Sequence, residues 1–393
     1  MRSVELFAGA GGLAIGMANA GFQHAAVVEW DPDSCATFRE NQQHHVHAVE
    51  SWPLYEGDVR DFDYGPLQDK VMVVSGGPPC QPFSLGGKHR GYMDKRDMFP
   101  EAVRAVRELR PEAFIFENVK GLMRETFADY FEHIYLQLSH PGLRSREGES
   151  WREHRARLEK HHTSRRARSE YNVVYRILNA ADYGVPQRRA RVFLIGFRSD
   201  LGVEWSFPEG THSEDSLLHS QWITGDYWER HGVSKRNRPA ISGRVMGRIQ
   251  KLKQVSEPEG QLLPWLTVRD AIGDLPDPEK RSKSDIPNHK LNPGARSYPG
   301  HTGSPLDEAA KTLKAGDHGV PGGENMLARA DGSVRYFTVR EAARLQTFPD
   351  DYMFRGSWTE TMRQLGNAVP VKLAEKVARS VAKTLRATRQ RTS

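Results

Sequence analysis

Residues 71–84 read VMVVSGGPPCQPFS and change character halfway along. The first half is a run of mostly β-branched apolar residues, which is typical of a buried strand that ends in a turn. The second half holds three prolines, which fix φ and restrict the loop. In an open α/β sheet, ligands bind beyond the carboxyl ends of the strands. The stretch therefore predicts a buried strand that delivers Cys80, one of two cysteines in the chain, to a binding edge.

Similar apolar runs recur on both sides of this strand, from residue 1 to about residue 198. They alternate with segments of helical length, a pattern that indicates βαβ units. In chain order the runs are VELFAG, HAAVVEW, VMVVSGG, EAFIFENV, NVVYRIL and RVFLIGF. We therefore predict an α/β fold with a doubly wound, mostly parallel sheet.

The composition divides the chain into three parts. Residues 1–198 form the sheet-building part, which a basic segment at about 139–170 interrupts. Residues 144–168 hold nine Arg or Lys and four Glu, which predicts a solvated helical insertion, with a DNA-contacting arm as the alternative. Residues 199–336 are rich in Gly, Pro, Asp, Ser and Trp and predict a smaller, loop-rich domain. Helical patterning resumes in residues 337–393, which we expect to return to the first domain.

Composition also narrows the class of protein. The chain has 393 residues, 38% of them hydrophobic, without an N-terminal signal segment or an apolar stretch of about 18 residues. Two cysteines cannot build a disulfide framework and fit a reducing cytosol. The net charge of +6 favours polyanionic partners without deciding the question. The His44-His45-His47 cluster has no cysteine nearby and is expected to be surface, so we predict no metal site.

A glycine-rich turn, residues 7–13 (FAGAGGL), follows the first apolar run and opens a helical pattern. Such a turn lets a ligand approach the backbone at a helix N-terminus, although a plain strand-to-helix turn needs the same glycines. Glu29 lies about 20 residues on, where an acidic residue accepts hydrogen bonds from ribose hydroxyls. Trp30 would stack on an adenine or lie in the core, and Asp58 would bind the adenine amino group or form a turn. Together they predict an adenosine cofactor.

Charged residues also flank two later apolar runs. Glu117 closes the run AFIF, where a carboxylate is expected to serve a site. Arg189 and Arg191 alternate just before VFLIG and should lie on one face of a strand, where two guanidiniums suit a carboxylate and a base carbonyl. Arg188 should point the other way, toward solvent or phosphate. An edge strand charged against aggregation is the alternative.

These blocks resemble, in order, the DNA (cytosine-5)-methyltransferases of the prokaryotic modification type. The resemblance spans the chain and leaves residues from about 200 to 336 as the variable, target-recognition part. The matching segments are FAGAGGL, Glu29-Trp30, Asp58, GGPPCQPFS, Glu117-Asn118-Val119, QRRAR at 187–191, REAARLQTFP at 340–349 and GNAVP at 366–370. The resemblance implies the Rossmann-like fold of methyltransferases that use S-adenosyl-L-methionine.

The resemblance also implies the chemistry. A methyl group would pass from S-adenosyl-L-methionine to carbon 5 of a flipped cytosine in duplex DNA, with S-adenosyl-L-homocysteine as product. The Cys80 thiolate would add to carbon 6, because carbon 5 attacks a methyl donor only once the ring becomes an enamine. Glu117 would interact with the ring nitrogen N3 and the exocyclic amine. Arg189 and Arg191 would position Glu117 and the cytosine.

Further residues are implied for the cofactor and the DNA. The cofactor set is Phe7, Ala8, Gly9, Gly11, Gly12, Leu13, Glu29, Trp30, Asp58, Val59, Pro78, Met98, Asn367 and Val369. The DNA set is Ser84, Lys88, Arg90 and Arg96 in a catalytic loop, and Thr312 and Leu313 near the flipped base. Other candidates for DNA contacts are Arg244, Arg248, His301, Lys311, Lys314 and His318. No sequence rule assigns the target bases.

Three other functions remain open at this point. They are an RNA cytosine-5 methyltransferase, a non-catalytic DNA-binding regulator on the same fold, and an oxidoreductase that uses NAD on the glycine-rich turn. The expected partners are double-stranded DNA and a cognate restriction endonuclease. We expect a monomer in the cytoplasm, associated with the nucleoid through DNA and without membrane contact.

Overall fold

The fold is that of a computed structural model. It describes residues 1–46, 49–79, 97–164, 168–241, 243–254, 262–280, 285–316 and 325–392. The strands are β1 (Arg2–Leu6), β2 (Gln23–Glu29), β3 (Leu54–Glu56), β4 (Val73–Gly76), β5 (Ala113–Val119), β6 (Tyr171–Asn179), β7 (Ala190–Arg198), β8 (His212–Ser213), β9 (Leu263–Pro264), β10 (Ser304–Pro305), β11 (Met326–Ala328) and β12 (Val334–Tyr336). The helices are α1 (Gly12–Asn19), α2 (Pro32–Gln43), α3 (Phe99–Leu109), α4 (Ala128–Ser139), α5 (Trp151–His162), α6 (Glu214–His219), α7 (Asp226–Arg230), α8 (Gly243–Leu252), α9 (Val268–Ile272), α10 (Val339–Leu345), α11 (Trp358–Asn367) and α12 (Val371–Thr392).

Seven strands form the central sheet, in the order β3-β2-β1-β4-β5-β7-β6. The first five of these are parallel to one another. Strand β7 runs antiparallel between β5 and β6, and pairs Phe193 with Glu117 and Arg191 with Val119. The predicted α/β fold with a large, mostly parallel sheet is therefore confirmed.

Both faces of the sheet are covered by helices. Val74 and Phe114 point to one face and pack in a cluster with residues of α3 and α4. Their neighbours Val73 and Ile115 point to the other face and pack with residues of α1 and α12. Burial on both faces explains why these strands read as continuous apolar runs without polar alternation.

The C-terminal helix α12 lies against α1. A Cβ atom added at Gly16 would lie 2.5 Å from the Cβ of Ala374, so the two helices approach too closely for a larger residue. A Cβ added at Gly12 would lie 2.1 Å from the carbonyl oxygen of Val369. The segment before α12 therefore touches the start of α1, directly after the glycine-rich turn.

The basic segment contains helix α5, as predicted. Its start is fixed by a capping box between Ser150 and Glu153. One side is not solvated, however, because Leu158 and His154 are buried and the helix packs on α4. His154 Nδ1 lies 3.2 Å from Nε2 of His133 on α4. The Leu158 side chain and the two histidine rings thus form a contact between helices that the composition alone did not predict.

The part from 199 to 336 consists of short elements, α6 to α9 and β8 to β12, joined by loops. Leu217, Tyr227 and Trp228 form a small separate core there. Among the residues that the structure describes, no helix has the length and apolarity needed to cross a bilayer. The same residues contain no cluster of three side chains able to hold a metal ion; His47 lies outside them.

Candidate active site

Parallel strands bring the predicted blocks to one edge of the sheet. The glycine-rich turn follows β1, Glu29 ends β2, Gly77 follows β4, and Glu117 lies near the end of β5. Because β7 is antiparallel, it enters the sheet at this same edge with Arg191. The predicted residues Cys80, Ser84, Lys88, Arg90 and Arg96 lie outside the described residues.

Glu117 and Arg191 form a buried ion pair at this edge. Arg191 Nε lies 2.8 Å from Glu117 Oε1, and the two side chains are 12% and 8% exposed, respectively. A Cβ added at Gly77 would lie 3.3 Å from Glu117 Oε2, so the carboxylate lies beside the backbone that leads to Cys80. Burial raises the pKa of Glu117, while the charges of Arg191 and Arg189 oppose that rise.

Arg189 is fully buried and makes a different set of contacts. Its Nη1 donates to the carbonyl of Leu313 at 3.0 Å and its Nη2 to the carbonyl of Gly366 at 2.6 Å. Its influence on Glu117 is therefore electrostatic. Arg188 is exposed and lies 3.1 Å from a carboxylate oxygen of Glu308. The sequence predicted that Arg188 would point away from Arg189 and Arg191, but it did not predict the contact with Glu308.

Asn118 was quoted only as part of a motif, yet it holds the approach to Cys80. Its Nδ2 donates to the carbonyl of Pro78 at 2.8 Å, which ties β5 to the loop after β4. Beyond the gap in the described chain, the Met98 backbone N–H donates to the carbonyl of Pro79 at 3.1 Å. The residues on either side of 80–96 are thus held together.

The glycine-rich turn is organised around Glu29. Phe7, Gly9 and Gly11 have φ of 54°, 54° and 88°, the left-handed region that favours glycine. Glu29 Oε2 accepts from Gly9 N–H at 2.6 Å, and Oε1 accepts from the N–H groups of Trp30 and Asp31 at 2.8 Å each. Burial raises the pKa of Glu29 against these hydrogen bonds. The carboxylate that was predicted to bind ribose therefore also shapes the turn.

Other predicted cofactor residues differ in exposure. Trp30 is 71% exposed, so the alternative of a core tryptophan is wrong. Asp58 accepts from Arg60 N–H at 2.9 Å and pairs with the Arg60 guanidinium, which is the turn role that was left open. Asn367 is exposed at the end of α11. Besides Glu29, the buried residues of the predicted cofactor set are Ala8, Gly11, Gly12, Leu13, Val59, Pro78 and Val369, and Met98 is partly buried.

The predicted DNA residues in the variable part have partners within the protein. Thr312 Oγ1 donates to the carbonyl of Arg188 at 2.7 Å. The Leu313 side chain is 1% exposed. Lys311 Nζ donates to Thr302 Oγ1 at 2.7 Å, and Arg248 pairs with Glu214 and Asp215. His318 and the Arg244 side chain lie outside the described residues.

Glu5 was missed by the sequence analysis. It lies on β1 just before the glycine-rich turn and is 1% exposed. The Ser75 hydroxyl, opposite it on β4, donates to Glu5 Oε2. Burial raises the pKa of this carboxyl to about 8. The apolar run VELFAG gave no signal for it, because a single carboxylate within a strand reads as a solvent-facing residue.

A comparison with known families covers nearly all of these elements. Residues 1–144 and 153–383 match the family described as C-5 cytosine-specific DNA methylase. The chain belongs to this family. The match to a C-5 cytosine-specific DNA methylase rules out the alternative of an oxidoreductase that binds NAD at the glycine-rich turn. Of the basic segment, only residues 145–152, just before and at the start of α5, fall outside the match.

Individual relatives of this DNA methylase cover almost its whole length. Type II methyltransferase M.NgoMIV of Neisseria gonorrhoeae is 30% identical over 393 residues, which cover 98% of each chain. Type II methyltransferase M.PspPI of Psychrobacter sp. (strain TA137) is 31% identical over 98% of this chain and 79% of its own. The crystal structure of S. pombe Dnmt2 methyltransferase has a TM-score of 0.56 and 17% identity, and covers 98% of this chain and 99% of that one. That likeness concerns the fold.

Proposed function

We propose that this C-5 cytosine DNA methyltransferase modifies one specific sequence in duplex DNA and is the methylating partner in a restriction–modification system. Two relatives whose alignments cover 98% of this chain are named Type II methyltransferases. The single observation that carries the catalytic proposal is the buried Glu117–Arg191 pair beside Gly77, three residues before Cys80. We expect a monomer in the cytoplasm that associates with the nucleoid through its substrate.

The cofactor proposal is S-adenosyl-L-methionine, which supplies an electrophilic methyl group on a sulfonium. The residues present fit it. Helix α1 begins after Gly11 without a side-chain cap, so its first N–H groups are available to a carboxylate. The exposed Trp30 ring offers a flat surface for a purine. The Glu29 carboxylate, which has four lone-pair sites in all, retains acceptor capacity for a hydroxyl.

We assign the catalytic steps to three side chains. The Cys80 thiolate adds to carbon 6 of the flipped cytosine, and the ring's electron density moves toward N3. Glu117 donates a hydrogen bond or its proton to N3, so that the ring becomes an enamine whose carbon 5 would be nucleophilic toward the methyl group of a bound cofactor. After transfer, carbon 5 gives its proton to a solvent water, N3 returns its proton to Glu117, and the bond between carbon 6 and sulfur breaks to release the Cys80 thiolate. Arg191 holds the Glu117 carboxyl in place, because its Nε lies 2.8 Å from Glu117 Oε1 and can donate to that oxygen in either protonation state.

The charge balance of the site supports a thiolate mechanism. Arg189 and Arg191 bring two guanidinium groups to the site, and Glu117 brings one carboxyl. A buried excess of positive charge favours anions, here a thiolate and the electron-rich adduct. Protonation of Glu117, which its burial favours, would increase that excess further.

The test is to map 5-methylcytosine in the DNA of an expressing host and to trap the enzyme on duplex that contains 5-fluorocytosine at the mapped site. The wild type should form a denaturation-resistant adduct. Cys80→Ser should form none and should lose methyl transfer, while its affinity for S-adenosyl-L-homocysteine stays within a few-fold. Cys35→Ser is the matched control, because Cys35 is buried, and it should still form the adduct. Methyl transfer by Cys80→Ser would contradict the mechanism.

A further inference from the structure

Two distant parts of the chain lie side by side at the entrance to β7. We call residues 186–189 the β7 lead and residues 310–313 the Thr-Leu segment. Ala310 N–H donates to the carbonyl of Pro186 at 2.9 Å, and Arg188 N–H donates to the carbonyl of Ala310 at 2.7 Å. This is a short parallel bridge. The segment that was predicted to meet DNA is therefore built onto the strand that carries Arg191.

Side chains strengthen this bridge. Thr312 Oγ1 donates to the carbonyl of Arg188 at 2.7 Å. Leu313 N–H donates to Gln187 Oε1 at 3.0 Å, and Leu313 carbonyl accepts from Arg189 Nη1 at 3.0 Å. Both backbone polar groups of Leu313 are thus satisfied by side chains of the β7 lead, so the Thr-Leu segment has one defined position relative to β7.

Gln187 is the centre of the arrangement and is fully buried. Its Nε2 lies 3.2 Å from both the Leu345 carbonyl and Gln346 Oε1. Gln346 Nε2 donates in turn to the carbonyls of Leu365 and, at 3.3 Å, Ala368. The Gln187 amide therefore joins the Thr-Leu segment to the end of α10 through both its oxygen and its nitrogen, and the Gln346 amide extends the connection to the end of α11.

The connection extends in both directions. On one side, Lys314 N–H donates to Asn325 Oδ1 at 2.9 Å and Asn325 Nδ2 donates to the Lys314 carbonyl at 2.8 Å, which holds these two residues together. On the other side, the β7 lead continues into Arg191 and its ion pair with Glu117. Residues 314 and 325 are thus connected to the catalytic carboxyl through these hydrogen bonds, the backbone of the β7 lead and the Glu117–Arg191 ion pair.

We propose that Gln187 is a positioning residue that couples the seating of DNA on the Thr-Leu segment to the geometry of the Glu117–Arg191 pair. The inference rests on the proposed function. A duplex of the wrong sequence that displaces Thr312 pulls on the β7 lead and therefore on Arg191. Small displacements of a reacting group lower the rate steeply. Discrimination then acts on the rate of methyl transfer as well as on binding.

The test uses Gln187→Met, which keeps the length of the side chain and removes its acceptor and its donor. The kcat and KM are measured on the mapped target duplex and on a duplex with one base pair changed. We expect kcat on the target and the target-to-changed ratio of kcat/KM each to fall about tenfold, as for one lost buried hydrogen bond. The KM for S-adenosyl-L-methionine should stay unchanged.

The matched control is Gln364→Met. Gln364 is also a buried glutamine, and its hydrogen bonds go to Thr37 and the Arg355 carbonyl. It should lower the melting temperature by a similar amount and leave the discrimination ratio unchanged. The ratio does not depend on how much of a sample is folded, since both duplexes meet the same protein. Gln187→Glu keeps the acceptor for Leu313 N–H and should retain more discrimination than Gln187→Met.

A second pair of variants covers the case in which Gln187→Met does not fold. Thr312→Val removes the hydroxyl bond to the Arg188 carbonyl without a change in shape and should lower discrimination, whereas Thr312→Ser should restore it. A Gln187→Met or Thr312→Val enzyme that discriminates like the wild type overturns the coupling alone. If the wild-type enzyme forms no adduct with duplex that contains 5-fluorocytosine, the proposed function and this inference are overturned together.

Discussion

Among single residues, Glu117 combines two opposing influences. Burial raises its pKa, and the adjacent guanidiniums lower it. A carboxyl that must donate to N3 works in its protonated form, so methyl transfer should slow as pH rises through the raised pKa. The Cys80 thiolate acts in the other direction, because its fraction grows with pH. The two effects together predict that the rate of methyl transfer follows a bell-shaped pH profile.

Glu117→Gln tests this assignment. The amide fits the same space but cannot transfer a proton, so single-turnover methyl transfer should slow by about 100-fold or more. The alkaline fall in rate should also disappear, since an amide donates at any pH. Single-turnover rates measured from about pH 6 to pH 9 on the mapped target duplex check both. A variant with a normal rate would remove Glu117 from the chemistry.

The sequence predicted a role for some residues of the site and missed others, and the difference lies in where each residue finds its partner. Glu117, Arg189 and Arg191 were predicted because their own charges in apolar surroundings demand a site. Asn118 and Gln187 were not, since they bind backbone carbonyls far away in sequence, those of Pro78 and Leu345. No local pattern encodes such a contact.

Among the elements, the start of α1 has the least room for change. A side-chain methyl at Gly12 would meet the Val369 carbonyl oxygen at 2.1 Å, and that oxygen is backbone. Gly12→Ala should therefore separate α1 from the segment before α12 and cost about 1–3 kcal/mol, as overpacking does. Affinity for S-adenosyl-L-homocysteine should fall with it. Thermal unfolding and calorimetric titration measure the two effects.

The matched control is Gly247→Ala on α8, where an added Cβ meets nothing within 4 Å. There the change should stabilise the protein by up to about 1 kcal/mol, through helix propensity alone. Equal melting temperatures for the two variants would contradict the close approach at Gly12.

The strands were the most predictable elements. β1, β2 and β4 to β7 all coincide with apolar runs. The inner strands are covered on both faces, whereas the edge strand β6 leaves Val174, Tyr175 and Ile177 exposed. The reversal of β7 was not predictable, since burial has the same period in parallel and antiparallel strands. The packing of α5 on α4 was also missed, because it depends on Leu158 and histidines within a charged segment.

At the scale of the whole molecule, the proposed division at 199 and 336 makes target choice separable from chemistry. Exchange of residues 199–336 for those of M.NgoMIV should transfer the donor's methylation pattern, measured in parallel, and leave methyl transfer intact. Bisulfite sequencing of host DNA would show it. A second chimera that retains this chain's residues 310–313 controls for the bridge to the β7 lead. A chimera that still methylates this chain's own sites would contradict the division.

The reversed direction of β7 has a consequence for how such enzymes diversify. The strand starts beside Glu117 and ends at the opposite edge of the sheet, where Arg198 N–H donates to the carbonyl of Glu112. The polypeptide thus leaves the reaction centre before the loop-rich stretch from residue 199 begins, and among the described residues it meets the β7 lead again at Glu308 and Ala310. Insertions, deletions and drift within that excursion can accumulate during evolution while the reacting groups keep their places.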